Sequence, residues 1–391
     1  MQNTSSAPRV AIACGGTGGH LFPGIAVANE LRQLGCAVTL LISPKEVDQT
    51  AVKSAIGMQV AILPAVGLSR GGGFAFLRGF IQSYRAAARI FKSERPEAVL
   101  AMGSFTSAPP VLAGRACGAP TFLHESNTIP GRANRWLSWI VNEAFIGFPE
   151  AAMRLHARKV KFTGTPVRPQ FQPGEVAACR LALNLDPARP VMLVTGGSQG
   201  ASGLNDLVIA ALPHLAKLLP ELQVFHLTGP NDASKVAEAC FANRLKAVVH
   251  PFFADMPRAL GAASVAVSRA GASSLAELAA MQLPSILVPY PAAMDNHQYY
   301  NALAFQKTGA AVLLAQKGAQ PELLAENVVE LIEHASAREK MCVALGKWQA
   351  PGSAGQIAES IMQMISARRK ITGRAAAKTA AHLQNRKTAI P

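Results

Sequence analysis

Residues 10–20 read VAIACGGTGGH, and residues 191–201 read VMLVTGGSQGA. In each, an apolar run ends in a cluster of glycines and a helix-forming stretch follows. Such a run has the character of a buried strand. Glycine at the strand-to-helix turn lets backbone N–H groups approach a phosphate, at which the next helix aims its positive end. Neither loop is a Walker A loop, since neither ends in Gly-Lys-Ser/Thr, and neither fits GxGxxG cleanly. One such turn is a weak signal, because glycine there is often purely structural. Two in equivalent contexts, about 180 residues apart, point to two nucleotide-fold halves facing one cleft.

Working outward, short apolar runs predict buried strands over 10–13, 37–42, 60–63, 98–102, 121–124 and 143–146. Helical stretches separate them, such as 24–34 and 132–141. After Thr163-Gly164-Thr165-Pro166 the pattern restarts, with strands predicted over 191–195, 223–228, 247–250, 265–268 and 285–289. Continuous apolar strands alternating with helices indicate parallel sheets covered on both faces. The restart with a second glycine loop predicts an α/β protein of two doubly wound, Rossmann-like domains; an eight-fold barrel explains the repeated loop less well. Pro166, Pro169 and Pro173 would stiffen the link between the halves.

The chain has 391 residues, enough for two ordinary domains. No apolar run reaches the ~18 residues of a membrane span. The start, MQNTSSAPRV, lacks the basic and apolar regions of an export signal, so a cytosolic location is expected. The six cysteines (14, 36, 117, 179, 240 and 342) form no CxxC pair, which suits a reducing compartment and argues against a zinc or disulfide framework. Of the net charge of +15, the stretch 366–391 supplies +7 without a single acid, leaving +8 for the remainder. Basic excess favours a polyanionic partner: nucleic acid, an anionic membrane surface or a phosphorylated substrate. The tail lacks a sustained apolar face and reads as a solvated extension.

Several clusters carry chemistry. His20 opens the helix after the first loop, where an imidazole can take a proton from a hydroxyl; the alternative is a histidine that only caps or packs. The stretch from Ser268 to Glu277 follows a predicted strand and opens a helix near Ala272. Backbone N–H groups with Ser273 and Ser274 suit a diphosphate there, and Glu277 suits ribose hydroxyls. The local alternative is an ordinary helix start with Ser274 and Glu277 as a capping box. His124-Glu125-Ser126-Asn127 and Asp295-Asn296-His297-Gln298 also follow predicted strands, where open α/β sheets bind ligands, and neither has metal-ligand spacing. After Gly71–Gly73, the residues Phe74, Leu77, Phe80, Ile81 and Tyr84 recur at helical spacing, accompanied by Arg70, Arg78, Arg85, Arg89 and Lys92. A basic, aromatic-rich amphipathic helix can lie on an anionic bilayer; a core-facing stripe is the alternative.

Taken in order, GGTGGH, GSFTSAPP (103–110), HESN with Gly131 and Asn134-Arg135-Trp136, GTPVR (164–168), GGSQGAS, SRAGASSLAE and DNHQYYNA resemble the MurG-type members of glycosyltransferase family 28, across roughly residues 9–365. The resemblance implies a GT-B fold. Residues 9–166 would form the acceptor and membrane domain, 167–352 the UDP-sugar donor domain, and 353–368 a helix returning to the first. Residues 1–8 would be a flexible start and 369–391 a disordered basic tail.

The implied reaction is inverting and metal-independent, with no cofactor. It transfers N-acetylglucosamine from UDP-N-acetylglucosamine to the 4-hydroxyl of the muramoyl sugar of undecaprenyl-diphosphate-linked muramoyl-pentapeptide (lipid I to lipid II) in peptidoglycan synthesis. By the same resemblance His20 is the base, Thr17, Gly18 and Gly19 line the donor–acceptor junction, and Asn127 contacts the transferred sugar. Arg168 and Ser198 meet the donor phosphates, and the backbone around Phe253 holds uracil. Ala272, Ser273 and Ser274 bind the diphosphate, Glu277 the ribose, and His297 and Gln298 the sugar side. Other cell-wall synthesis proteins are implied partners, at the cytoplasmic face of the inner membrane. Three departures stand out: HESN for the commoner HEQN, Phe105 for a tyrosine, and His297 for a glutamine found in some members.

A lipid glucosyltransferase or UDP-sugar 2-epimerase is the nearest rival, and an epimerase needs no lipid-facing surface. No nucleic-acid module is visible, and the tail lacks aromatic interleaving, so no nucleic-acid partner is expected. An NAD-dependent dehydrogenase is disfavoured because the strand over 37–42 runs into Ser43-Pro44-Lys45 without an acidic residue.

Overall fold

The structure, a computed structural model, describes residues 7–45, 57–64, 73–197 and 200–387, with side chains as far as residue 372. Strands β1 (Arg9–Ala13), β2 (Ala37–Ile42), β3 (Gln59–Ile62), β4 (Ala98–Ala101), β5 (Thr121–Glu125), β6 (Glu143–Ile146) and β7 (Val160–Phe162) form one sheet in the order β3-β2-β1-β4-β5-β6-β7. Strands β8 (Val191–Thr195), β9 (Gln223–Leu227), β10 (Lys246–His250), β11 (Val265–Ser268), β12 (Ser285–Leu287) and β13 (Val312–Leu313) form a second, in the order β10-β9-β8-β11-β12-β13. Every neighbouring pair is parallel. Both sheets reverse strand order beside the strand that carries a glycine loop, β1 or β8. Loops leaving the strands diverge at such a reversal and open a crevice.

The pleat explains the unbroken apolar runs. Val10 and Ile12 face the side packed by Leu21, Ile25 and Leu31 of the helix Gly18–Gln33, whereas Ala11 and Ala13 face the side packed by Ala87, Phe91 and Val111. With both faces buried, alternation with polar residues has no place.

The chain crosses between the sheets twice. It leaves the first through 163–172 and returns at the helix Ser353–Lys387, whose Ile357, Ala358, Ile361 and Ile365 are buried in the first domain's core. Both crossings meet at one atom: the Gly164 carbonyl accepts from Ser353 Oγ (2.9 Å), His124 Nε2 (3.1 Å) and Thr163 Oγ1 (3.0 Å).

Several expectations change. The first helix starts at Gly18, not residue 24, because Pro23 falls in its second turn and does not end it. The helix begun at Arg132 stops at Leu137, and the short edge strands β7 and β13 went unpredicted. Residues 1–6 lie outside the described residues. The tail expected to be disordered from 369 is helical to Lys387. Its alanine-rich sequence favours helix, and Arg369 pairs with Glu97 at 2.5 Å, tying the helix to the first domain beyond residue 368.

Candidate active site

The two glycine loops and the turn after β11 open onto one cavity of about 330 Å³, lined from both domains. Thr17, Gly18, Gly19, His20 and Asn127 come from the first domain. Arg168, Phe253, Ala272, Ser273, Ser274, Glu277, His297 and Gln298 line it as well. Thus the residues singled out in the sequence, though spread over some 280 positions, share one wall-to-wall site. Ser198 lies outside the described residues.

On the first side, His20 Nδ1 and Thr17 Oγ1 are 3.1 Å apart, which orients the ring. In the tautomer with its proton on Nδ1, the lone pair is on Nε2. The ring packs against Gly103, whose φ is +116°; a β-carbon there would lie 2.7 Å from Nε2. Only glycine permits this approach.

The buried carboxylate of Glu125 shapes the loop that follows β5. One oxygen accepts from the backbone N–H and side-chain amide of Asn127 (2.9 and 3.1 Å), the other from Gly131 N–H and Asn134 Nδ2 (3.0 and 2.9 Å). Burial pushes its pKa up and these donors pull it back. Asn127 Oδ1 in turn accepts from Asn301 Nδ2 (3.0 Å), and Asn301 Oδ1 accepts from both Thr128 N–H (2.9 Å) and Thr128 Oγ1 (3.0 Å). Asn301 is fully buried in the helix His297–Lys307, so the two domains touch through a satisfied amide network.

On the second side, the helix Ala272–Ala280 points its N-terminus into the cavity, capped by Gly271 without a side-chain bond. The Ser274–Glu277 capping box therefore does not form, leaving Ser274 and Glu277 to the cavity. Burial pushes the Glu277 carboxyl up to about 7, opposed by the charge of Arg168. The Arg168 guanidinium lies over the rings of Phe22 (4.3 Å to the centroid) and Phe171 (5.0 Å), and burial lowers its pKa while Glu277 raises it. An arginine so placed keeps its charge and is held flat for phosphate contact.

Gln298 Oε1 accepts from Tyr290 N–H (2.9 Å), so its amide group is the end offered to a ligand. His297 Nδ1 is 2.8 Å from Met294 O. The loop before them holds Asp295 and Asn296 at positive φ (51° and 54°) and is tied to the first domain by an Arg135–Asp295 ion pair at 3.0 Å. The Phe253 ring stacks on His250 (5.6 Å) and meets Phe225 edge-on (5.3 Å). Sequence reasoning missed Phe22, Phe252, Arg269 and Asn301. Arg269 and Asn301 both lie inside quoted motifs, SRAGASSLAE and DNHQYYNA; Arg269 donates to Val288 O (2.9 Å) and holds the turn before Tyr290. Among the described residues no group of three His, Cys, Asp or Glu side chains is placed to hold a metal ion.

The expected membrane-facing stripe divides. On the helix Gly73–Ser93, Phe74, Leu77 and Ile81 are 81%, 55% and 41% exposed. Phe80 and Tyr84 instead pack against the first domain's core, because they flank the buried face of Gly79, Ser83, Ala87 and Phe91. Arg70 lies outside the described residues. No described helix is long and apolar enough to cross a membrane.

Residues 10–146 match the glycosyltransferase family 28 N-terminal domain, and residues 191–356 match the family's C-terminal domain. A UDP-N-acetylglucosamine–N-acetylmuramyl-(pentapeptide) pyrophosphoryl-undecaprenol N-acetylglucosamine transferase of Anaeromyxobacter sp. (strain K) is 38% identical over 370 residues, covering 92% of this chain and 94% of that one. A protein of the same name from Geobacter sp. (strain M21) is 35% identical over 337 residues, covering 85% and 90%. The crystal structure of Acinetobacter baumannii MurG superimposes with a TM-score of 0.71 at 27% identity, covering 91% of this chain and 99% of that one. A UDP-GlcNAc 2-epimerase from Neisseria meningitidis shares the fold alone, with a TM-score of 0.66 at 14% identity. With every cavity residue but Arg168 inside the matched segments, the chain belongs to glycosyltransferase family 28.

Proposed function

We propose that this enzyme transfers N-acetylglucosamine from UDP-N-acetylglucosamine to the 4-hydroxyl of the muramoyl sugar in undecaprenyl-diphosphate-linked muramoyl-pentapeptide, the step from lipid I to lipid II. The observation that carries this is the single cavity in which His20 of one domain faces Arg168, Glu277 and the helix start at Ala272 of the other. The donor lies on the second domain. Glu277 accepts from the ribose hydroxyls, backbone around Phe253 meets uracil, and Arg168 with the N–H groups at Ala272–Ser274 holds the diphosphate. Asn127, His297 and Gln298 contact the sugar.

His20 Nε2 takes the proton of the acceptor 4-hydroxyl as its oxygen attacks the anomeric carbon in line. The bond from that carbon to the UDP oxygen breaks, the configuration inverts, and the departing negative charge falls on the diphosphate. Arg168 and the helix N-terminus are already in place to stabilise it.

The acceptor is lipid-linked, and the exposed Phe74, Leu77 and Ile81 with exposed Arg78, Arg85, Arg89 and Lys92 support docking on the cytoplasmic face of the membrane. Each basic residue near an anionic surface contributes about 1 kcal/mol. UDP release from UDP-N-acetylglucosamine, measured in EDTA with and without a short-chain lipid I analogue, tests the reading. Acceptor-dependent release with disaccharide formation supports it. Sugar isomerisation, or UDP release without acceptor, favours the epimerase or a hydrolase.

A further inference from the structure

The helix His297–Lys307 carries Asn301 four residues after His297 and three after Gln298, so the three share one helix face. His297 and Gln298 line the cavity, whereas Asn301 is fully buried. Asn301 uses every hydrogen bond its amide can make. Nδ2 donates to Asn127 Oδ1 (3.0 Å) in the first domain and to Ala270 O (3.2 Å) in the turn before the helix Ala272–Ala280. Oδ1 accepts from the backbone N–H (2.9 Å) and the hydroxyl (3.0 Å) of Thr128. Two donors and two lone pairs are the whole capacity of the group, so none is left for a ligand. Its orientation is fixed as well. A backbone N–H only donates, so Thr128 claims the oxygen and Nδ2 turns to Asn127.

Asn127 differs in having capacity to spare. Its Nδ2 donates once, to Glu125 Oε1 (3.1 Å), and its Oδ1 accepts once, from Asn301. One N–H and one lone pair remain, on a side chain that lines the cavity. A sugar hydroxyl can accept from the first and donate to the second.

We propose, on the reading that Asn127, His297 and Gln298 contact the transferred sugar, that Asn301 is a positioning residue for that sugar. One buried amide holds three things in a single register: Asn127 of the first domain, the helix start bearing His297 and Gln298, and the Ala270 turn ahead of the diphosphate site. The sugar is gripped only while the domains are joined at Asn301. The UDP part, held within the second domain, depends on it little.

The test is calorimetric affinity for UDP-N-acetylglucosamine and for UDP, read as a ratio, with thermal melting of each variant. Asn301→Asp still accepts from Thr128 but no longer donates to Asn127. It weakens UDP-N-acetylglucosamine about tenfold and UDP less than about twofold. Thr128→Val, which removes only the hydroxyl, shifts the ratio the same way by about threefold, and keeps the test open if Asn301→Asp does not fold. Introduced into Asn127→Ala, Asn301→Asp costs only about threefold, because part of its effect runs through Asn127. Equal losses for both ligands, or the same cost in the Asn127→Ala background as in wild type, mean a structural role and overturn the proposal. If Asn127→Ala leaves the ratio at the wild-type value, Asn127 does not touch the sugar, and the proposal falls with that contact while the transfer reaction stands. A wild-type enzyme that binds neither ligand overturns the donor reading as well.

Discussion

The hydroxyl of Ser273 donates to the carbonyl of Gly19, in the other domain, at 2.8 Å. That carbonyl is open because the residue four positions on, which closes the bond in a regular helix, is Pro23 and has no N–H. The proline thus leaves an acceptor at the lip of the cleft, and the donor-side helix uses it to hold the domains together.

Ser273→Ala is expected to raise the donor KM roughly fivefold by removing this bond. Pro23→Ala supplies an N–H that competes for the same carbonyl, and its donor KM should rise in the same direction without loss of thermal stability. Wild-type donor KM in Pro23→Ala would show that the open carbonyl plays no part in closure.

His20→Ala should reduce kcat by about 10²–10⁴-fold, the usual contribution of a positioned base, while donor affinity measured by calorimetry stays within twofold. Gly103→Ala should lower kcat too, because its methyl displaces the imidazole without touching the donor side. Equal turnover in wild type and His20→Ala removes His20 as the base.

Glu277 titrates at about 7 before donor binds. Its carboxylate is the form that accepts from two ribose hydroxyls, so donor affinity should strengthen as pH rises from 6 to 8, and Glu277→Gln should flatten that dependence. Stability of the free enzyme moves the other way. The folded value lies above the ordinary 4.5, so the unfolded chain loses its proton first, and this group's contribution is lost as pH rises through about 7. Urea midpoints of wild type and Glu277→Gln at pH 5 and 8 check the sign.

His124 and His226 are fully buried, and burial holds each down to about 4 from 6.5. The unfolded chain takes up these protons first as pH falls, so stability should drop between about 6.5 and 4, by up to about 3 kcal/mol per imidazole. Replacing His226 with glutamine should give a smaller drop in denaturation midpoint over that range. A slope equal to wild type would show that His226 is not the titrating group.

Much of this was legible in the chain. The strands over 37–42, 143–146, 191–195 and 265–268 have the bounds read from their runs, since strands buried on both faces are predominantly apolar. Edges were harder. Strands β7 and β13 are short and only partly buried, so their composition hardly differs from a loop. The stripe from Phe74 to Tyr84 was visible as periodicity, but periodicity does not say which flank meets a neighbouring helix. Asn301 lies inside DNHQYYNA, but its role was not legible, because a polar residue in a helix looks solvated until a partner from another domain is packed on it.

By itself the order of residues determined two parallel sheets with a glycine loop at each reversal point, and hence a cleft enzyme that handles phosphates. Local physics decides those features: burial on both strand faces and the backbone freedom of glycine. Tertiary structure alone decided that the Gly19 carbonyl meets Ser273 and that Glu125 organises Asn127 for Asn301. Each depends on the approach of segments up to 254 residues apart, which no pattern within one segment encodes.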